Sequence, residues 1–171
     1  SNPYGTFILQ KVVDNFPEDL LLPFYDYCKD NLLKLATSKN GLPIIKKALA
    51  KFKRNKSSFI ETIEENTNTL AQHPFGNYAV QVAIENWELT DCKKIFETVL
   101  HNLPQLSMQK FSSNVVEKCI DKGTPENVAE FMNTINNKEV MKMLIRNMYA
   151  FFVVERALLR SEDRDSKVQV A

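Results

Sequence analysis

The segment Phe75-Gly-Asn-Tyr-Ala-Val-Gln-Val-Ala-Ile84 decides the fold, because four other segments of the chain align with it without gaps. The other four are Tyr4-Gly-Thr-Phe-Ile-Leu-Gln-Lys-Val-Val13, Asn40-Gly-Leu-Pro-Ile-Ile-Lys-Lys-Ala-Leu49, Phe111-Ser-Ser-Asn-Val-Val-Glu-Lys-Cys-Ile120 and Tyr149-Ala-Phe-Phe-Val-Val-Glu-Arg-Ala-Leu158. The second residue is small in every copy, and these residues are separated by 36, 35, 36 and 38 positions: Gly5, Gly41, Gly76, Ser112 and Ala150. A period of this length is typical of proteins built from stacked structural repeats.

Each segment has the hydrophobic pattern of a helix. When the small residue is counted as position 0, positions 3, 4, 7 and 8 are apolar in every copy. This spacing predicts an amphipathic helix with one buried stripe. Pro43 stands at position 2, and proline is tolerated only in the first helical turn. We therefore expect the helix to begin just after the small residue; these helices are called segment helices below.

A second helix is predicted between consecutive segments. Thr124 is a suitable N-cap with Pro125 in the first turn, and Gly123 is placed to close the preceding segment helix. A short apolar turn then precedes each segment, and no stretch alternates like a strand. The sequence predicts an all-α protein, a right-handed α-solenoid of about five repeats with the first incomplete. Residues 1–160 are assigned to the repeat domain, and 161–171 to a polar C-terminal tail or a fragment of a cap.

Composition excludes several function classes. The formal net charge of the 171 residues is +1, so any nucleic-acid binding must depend on local groups rather than on a basic protein. Three cysteines without short spacing indicate buried thiols in a reducing compartment. His73 and His101 are too far apart for a catalytic or metal-binding set. We expect a soluble, cytoplasmic protein with no membrane span, no metal, no cofactor, no small-molecule substrate and no enzymatic activity.

Positions 1 and 5 of each segment helix are one turn apart, so we expect both side chains to lie side by side on one exposed face, with position 2 adjacent to them; together they form a triplet. The triplets are Thr6, Phe7, Gln10; Leu42, Pro43, Lys46; Asn77, Tyr78, Gln81; Ser113, Asn114, Glu117; and Phe151, Phe152, Glu155. Two adjacent amides match the acceptor–donor–acceptor edge of uracil. An ionised carboxylate accepts both neighbouring N–H donors of guanine, and a serine adds a contact. Flat side chains at position 2 are suited to base stacking.

These residue types predict a site for single-stranded RNA. The base-reading residues are Asn77, Gln81, Ser113, Glu117, Thr6 and Gln10. The stacking residues are Phe7, Tyr78 and, more weakly, Asn114. Weaker RNA contacts are assigned to Lys46, Phe152 and Glu155 and to the basic side chains at position 6, namely Lys47, Lys118 and Arg156.

The segments His73-Pro-Phe-Gly-Asn-Tyr-Ala-Val-Gln and Lys110-Phe-Ser-Ser-Asn-Val-Val-Glu-Lys-Cys resemble two adjacent repeats of PUF (Pumilio-family) RNA-binding proteins. Asn2-Pro-Tyr-Gly-Thr-Phe-Ile-Leu-Gln-Lys resembles a third repeat, and the similarity covers nearly the whole chain. The resemblance implies a crescent of three-helix repeats that read one base each. It also implies binding to mRNA 3′ untranslated regions, with repression of translation or mRNA decay. Effector proteins, such as a deadenylase complex, are then expected on the convex face.

The family's code assigns uracil to Asn77 with Gln81 and guanine to Ser113 with Glu117, while Thr6 with Gln10 fits adenine or uracil. Because RNA runs antiparallel to the protein in this family, the implied element is 5′-N-G-U-N-(A/U)-3′, which fits a UGU core. Two repeats depart from the pattern. Leu42 with Lys46 is no known reading pair, and Phe151 replaces the Asn expected of a uracil-reading repeat.

Two other functions fit the same sequence. A helical-repeat scaffold for a partner protein is consistent with the neutral charge and the two divergent triplets. A PUF-like nucleolar protein that binds RNA by shape, without base readout, is the third hypothesis. Binding that is indifferent to RNA sequence would favour it.

Overall fold

The computed structural model describes residues 3–54 and 56–168, with side chains described for residues 7–54 and 56–161. Within these ranges every regular element is helical. The α-helices are α1 Pro3–Asn15, α2 Leu22–Asp30, α3 Leu32–Ala36, α4 Leu42–Lys51, α5 Ser57–Gln72, α6 Gly76–Asn86, α7 Lys93–His101, α8 Leu103–Ser107, α9 Ser112–Lys122, α10 Pro125–Ile135, α11 Lys138–Leu144 and α12 Ala150–Val168. Short 3-10 helices at Glu18–Leu21 and Leu89–Cys92 precede α2 and α7.

The segment helices are α1, α4, α6, α9 and α12. As predicted, α4 begins directly after Gly41, whereas α6, α9 and α12 begin at the small residue itself. The predicted start of α10 is confirmed, because the Thr124 hydroxyl accepts from the Asn127 backbone N–H and the Asn127 side chain accepts from the Thr124 N–H. Gly123 does cap α9, but with φ −62°, so its backbone conformation does not require glycine. The lack of space does require glycine, because a Cβ at position 123 would lie 2.9 Å from the Cys119 carbonyl oxygen.

Repeats 2, 4 and 5 contain the three helices that the family resemblance implies. Repeat 3 differs, because the predicted turn around Thr69–Ala71 is part of the continuous 16-residue helix α5. At the corresponding junction repeat 4 has Pro104, which has no backbone N–H, whereas repeat 3 has Asn68. Repeat 2 is interrupted at this junction with Leu33 in place of the proline, so residue type at this one position does not decide where the helix breaks.

The segment helices pack in chain order, α1 against α4, α4 against α6, α6 against α9, and α9 against α12. In the middle repeats the predicted apolar stripe is buried, and Cys28, Cys92 and Cys119 are buried free thiols, as expected. The outermost helices keep part of the stripe exposed, since α1 exposes Ile8 and Val12. Each middle helix is therefore covered on both sides by its neighbours, as a solenoid requires.

Helix α12 is longer than the other segment helices. It continues to Val168, so the segment 161–171, expected as a polar tail or cap fragment, begins inside a helix. Position 160 is therefore not the end of a secondary-structure element.

The small residue at position 0 lies against the backbone of a leucine six positions earlier. A Cβ on Gly41 would lie 2.6 Å from the Leu35 carbonyl oxygen, and a Cβ on Gly76 would lie 2.9 Å from the Leu70 carbonyl oxygen. In repeat 4 the Ser112 hydroxyl donates to the equivalent carbonyl of Leu106 over 2.6 Å. In repeats 2, 3 and 4 this contact brings the start of the segment helix against the helix before it.

We expect Gly41→Ala to destabilise the protein by about 1–3 kcal/mol, because the added methyl group meets backbone atoms that cannot rotate away. Urea unfolding measures the change. Ala150→Gly is the matched control at position 0 of repeat 5, where a Cβ is already accommodated, and it should cost no more than about 1 kcal/mol. A Gly41→Ala protein as stable as the wild type would contradict the close contact.

Candidate nucleic-acid interface

The starts of three segment helices are fixed by a side chain at position −3. The Ser38 hydroxyl accepts from the Gly41 N–H, and His73 Nδ1 accepts from the Phe75 and Gly76 N–H groups, both at 3.1 Å. Asn147 Oδ1 accepts from the Tyr149 and Ala150 N–H groups. Backbone N–H groups at a helix start have no partner within the helix, so these contacts stabilise the turn that carries positions 1 and 2.

Asn77 and Gln81 lie side by side on α6, as their spacing predicts, and Gln81 Nε2 donates to Asn77 Oδ1 over 2.9 Å. The expectation that both are exposed is wrong for Asn77, which is only 1% exposed. Its Nδ2 group donates to the carbonyl oxygens of His73, at 2.8 Å, and Pro74, at 3.0 Å. Asn77 therefore stabilises the start of α6, and the half-buried Gln81 is the more accessible amide of the pair.

Ser113 and Glu117 occupy the same positions on the next segment helix, α9. Ser113 is 4% exposed, so it too is buried rather than exposed, and within the described residues its hydroxyl has no hydrogen-bond partner. Glu117 is half-buried and forms no ion pair within the same part of the chain. Burial raises the pKa of the Glu117 carboxyl; Asp121 and Glu155 raise it further, while Arg156 lowers it. Among the described residues, repeat 4 thus presents a hydroxyl without a hydrogen-bond partner and a carboxylate without an ion pair.

Flat side chains at position 2 are exposed beside these pairs. Phe7 is 60% exposed and Tyr78 is 47% exposed. Asn114 is exposed as well, but its Nδ2 donates to the carbonyl oxygens of Lys110 and Phe111. The ammonium of Lys46, in the preceding repeat, lies 5.7 Å from the centroid of the Tyr78 ring. Two aromatic faces are therefore available for stacking.

The basic side chains at position 6 pair with acids at position 9 of the preceding segment helix. Lys47 Nζ lies 2.6 Å from Asp14 Oδ1, and Arg156 Nε lies 3.5 Å from Asp121 Oδ1. Lys118 pairs with Glu85 in the same way, at 2.5 Å. Between repeats 2 and 3 the equivalent residues are Ala50 and Val82, which have no charge. A phosphate at Lys47, Lys118 or Arg156 must therefore compete with a carboxylate. We call these three ion pairs the inter-repeat ladder.

The two end repeats complete the set of predicted residues. Thr6 lies outside the residues whose side chains are described, and Gln10 is half-buried beside Leu42 and Lys46. In repeat 5, Phe151 and Phe152 are both more than half exposed, and their ring centroids are 5.7 Å apart with the planes nearly perpendicular. Glu155 on the same helix is exposed.

The inter-repeat ladder is not among the features predicted from the sequence, although the residue types that form it recur there. Position 9 is acidic in repeats 1, 3 and 4, and each of these acids precedes a repeat with a basic residue at position 6. Between repeats 2 and 3 both charged residues are replaced together, the acid at position 9 by Ala50 and the base at position 6 by Val82. Acidic and basic residues that are present or absent together in this way indicate contact between neighbouring repeats.

The part of the chain that the structure describes brings together no group of three or more His, Cys, Asp or Glu side chains that could hold a metal ion. Helices long and apolar enough to cross a membrane are likewise absent from these residues.

Comparison with known proteins identifies the repeat. A sequence model of the family described as "Pumilio-family RNA binding repeat" matches residues 1–23, 66–100 and 102–135, which is more than half of the chain. The chain belongs to the Pumilio family. The match leaves out 24–65 and 136–171, the parts that contain the divergent triplets of repeats 2 and 5.

Relatives and solved Pumilio-family structures agree with this assignment. Pumilio homolog 12 of Arabidopsis thaliana is 28% identical in sequence, over 94% of this chain and 27% of its own length. Pumilio homolog 11 of the same plant is 30% identical, over 76% of this chain and 23% of its own length. The chain thus spans about a quarter of the length of these relatives. PUF-8, crystallised with PBE-RNA, superposes with a TM-score of 0.86 at 21% identity, over 98% of this chain and 52% of that one. The Puf3 RNA-binding domain, bound to a Cox17 RNA 3′ UTR recognition sequence, superposes with a TM-score of 0.84 at 22% sequence identity. The superposition covers 93% of this chain and 52% of the Puf3 chain.

We expect Asn77→Ala to lower the free energy of unfolding by about 1–3 kcal/mol, because it removes the two hydrogen bonds that the buried side chain donates to the His73 and Pro74 carbonyl oxygens. Gln81→Ala, on the same helix face, should change stability by less than about 1 kcal/mol, since Gln81 is half-buried and bonds only to Asn77. Thermal and urea unfolding of both variants measure the difference. Equal destabilisation by the two substitutions would contradict a structural role for Asn77.

Proposed function

We propose that this chain is a sequence-specific binder of single-stranded RNA that recognises a UGU-type element in mRNA 3′ untranslated regions. It acts in the cytoplasm as a non-catalytic module in the repression of translation or in mRNA decay, with effector proteins such as a deadenylase complex as partners. Membership of the Pumilio family supports RNA binding. The 3′ UTR target is supported by the Puf3 structure, whose RNA is a Cox17 3′ UTR recognition sequence.

The observation that carries the proposal is the pairing of side chains on two adjacent, directly packed helices. Gln81 contacts Asn77 on α6, and the unpartnered Ser113 lies one turn from Glu117 on α9. Repeats 3 and 4 therefore offer two different sets of hydrogen-bonding groups at equivalent places. Consecutive nucleotides bound to consecutive repeats meet an amide pair and then a hydroxyl with a carboxylate.

Chemistry assigns a base to each pair. The Gln81 amide donates and accepts, which suits uracil, whose edge alternates acceptor, donor and acceptor. Ionised Glu117 only accepts, which suits the two neighbouring N–H donors of guanine. The half-buried position of Glu117 strengthens such a charge-assisted pair, because less water competes for the carboxylate.

The inter-repeat ladder bears on how RNA is held. Since Lys47, Lys118 and Arg156 are paired with carboxylates, a phosphate gains less at these three side chains than at an unpaired cation. Stacking on Phe7 and Tyr78 and hydrogen bonds to base edges then supply a larger share of the affinity. Recognition built in this way depends on sequence more than on general charge.

A protein-interaction scaffold is the second candidate, and one surface favours it. A groove of about 440 Å³ lies between α7 and α10, lined by Phe96, Leu100 and Phe131. These helices contain none of the positions assigned to base reading, so a partner in this groove would leave the RNA side free. A gel shift with a UGU-containing RNA beside a scrambled RNA separates the candidates, because only the RNA-binding hypothesis expects a sequence-dependent complex.

We expect RNA with G opposite repeat 4 to bind at least about tenfold more tightly than RNA with A there, because adenine cannot donate two hydrogen bonds to Glu117. Burial raises the pKa of Glu117, so the preference should fall as pH decreases through that raised pKa, since only the ionised carboxylate accepts both bonds. Fluorescence anisotropy in a series of buffers, from neutral pH down to the pH at which the protein begins to unfold, measures both effects. The Glu117→Gln variant should lose the preference and its pH dependence; equal binding of G and A by the unmutated chain would refute the assignment.

We expect Tyr78→Ala to weaken RNA binding by about 1–3 kcal/mol without changing base preference, because a stacked aromatic ring contacts every base in the same way. Isothermal titration with the preferred RNA and with single-base variants measures both quantities. Tyr27→Ala is the control, since Tyr27 is similarly exposed at 53% but lies on α2, away from the segment helices. An unchanged dissociation constant for Tyr78→Ala would argue against stacking.

A further inference from the structure

Position 5 carries a different kind of hydrogen-bonding group on each of three consecutive segment helices. It is Lys46 on α4, Gln81 on α6 and Glu117 on α9. A lysine ammonium only donates, an amide donates and accepts, and an ionised carboxylate only accepts. Repeat 2, whose triplet fits no known reading pair, therefore has a defined chemical character of its own.

Lys46 is exposed and available for a ligand. It has no ion pair within the described residues, in contrast to its neighbour Lys47, which is paired with Asp14. Its ammonium lies 5.7 Å from the centroid of the Tyr78 ring. Such a contact is weak at an exposed site, so the ammonium can exchange it for a better partner. A base that stacks on this face of Tyr78 meets Lys46 directly.

Among the described residues, no carboxylate lines the pocket beside Lys46. Lys46 stands at the edge of this shallow pocket of about 460 Å³, whose other lining includes Leu42, Pro43, Ala50 and Val82. Here the inter-repeat ladder is interrupted, because Ala50 and Val82 replace an acid and a base. Leu42, at position 1, offers no hydrogen bond, so Lys46 alone among positions 1, 2 and 5 can recognise a base edge in repeat 2.

The edge that a donor-only side chain selects follows from base chemistry. Cytosine has two adjacent acceptors on its Watson–Crick edge, N3 and O2. Uracil has a donor between its two acceptors, guanine has one acceptor beside two donors, and adenine has one acceptor beside its amino group. Repeats 3 and 4 present groups suited to Watson–Crick edges, so a base docked in the same way on repeat 2 presents that edge too.

We propose that Lys46 makes repeat 2 a cytosine-selective position, which extends the recognised element to 5′-N-G-U-C-(A/U)-3′. The inference rests on the proposed function, since it requires bases to dock on consecutive segment helices. Lys46 acts as the specificity-determining residue, and Tyr78 supplies the adjoining stacking surface.

Four RNAs of the form 5′-U-G-U-X-A-3′, flanked by identical adenosine tracts and differing only at X, test the proposal on the intact chain. We expect the RNA with X = C to bind about tenfold more tightly than the other three, as for hydrogen bonds to a charged donor. Lys46→Met keeps the length and apolar stem of the side chain but removes the ammonium, and it should bring the four affinities within about twofold. Lys51→Met, which removes one charge at the last residue of the same helix α4, is the matched control and should retain the preference for cytosine.

Each outcome of the measurement separates the inference from the function on which it rests. If the four RNAs bind equally while G remains preferred over A opposite repeat 4, repeat 2 does not select cytosine and the proposed function stands. A preference for guanine at X would mean that Lys46 meets the O6 and N7 edge, and it would overturn the inference as well. Loss of affinity for all four RNAs in Lys46→Met, without loss of preference, would assign Lys46 to a phosphate. If none of the four RNAs binds the unmutated chain, both the function and the inference fail.

Discussion

The close approach of a small residue to a leucine carbonyl at the start of the three middle segment helices is the constraint on which the rest of the structure depends. At Gly41 and Gly76 there is no room for a Cβ, and at Ser112 the hydroxyl hydrogen-bonds to the Leu106 carbonyl. This contact sets the distance between the segment helix and the helix before it. Once that distance is repeated, the apolar stripes meet, the segment helices stack in order, and positions 1, 2 and 5 recur at regular places along one side.

Side chains assigned to base reading also stabilise the fold. Asn77 stabilises the start of α6 by donating to two carbonyl groups, and it orients Gln81 through its remaining oxygen. In repeat 4 the balance is different, because the Ser113 hydroxyl has no hydrogen-bond partner within the described residues and burial raises the pKa of the half-buried Glu117. Repeat 3 is therefore organised mainly by its own hydrogen bonds, and repeat 4 has the more open hydrogen-bonding capacity.

The near-neutral charge of the chain has a structural explanation in the inter-repeat ladder. Three basic side chains that look like a phosphate-binding stripe in the sequence are paired with acids of the preceding repeat. Exposed ion pairs of this kind add little to stability, but they fix the register of neighbouring helices and reduce general attraction to polyanions. Where the ladder is interrupted, at Ala50 and Val82, an apolar pocket opens beside the unpaired Lys46. The distribution of charge between repeats thus separates surfaces that hold the solenoid together from surfaces that a ligand can reach.

The sequence alone determined the period, the helical class, the helix starts at Gly41 and Thr124, the buried stripe and the triplets, because each of these depends on neighbours within a few residues of one helix. It did not determine the fusion of two helices in α5, the burial of Asn77 and Ser113, or the pairing of Lys47, Lys118 and Arg156. Those features depend on atoms from the turn before a helix or from a repeat more than thirty residues away, such as Asp14 beside Lys47. Helical periodicity gives the direction in which a side chain points, whereas its exposure and partners are decided only when neighbouring repeats pack against it.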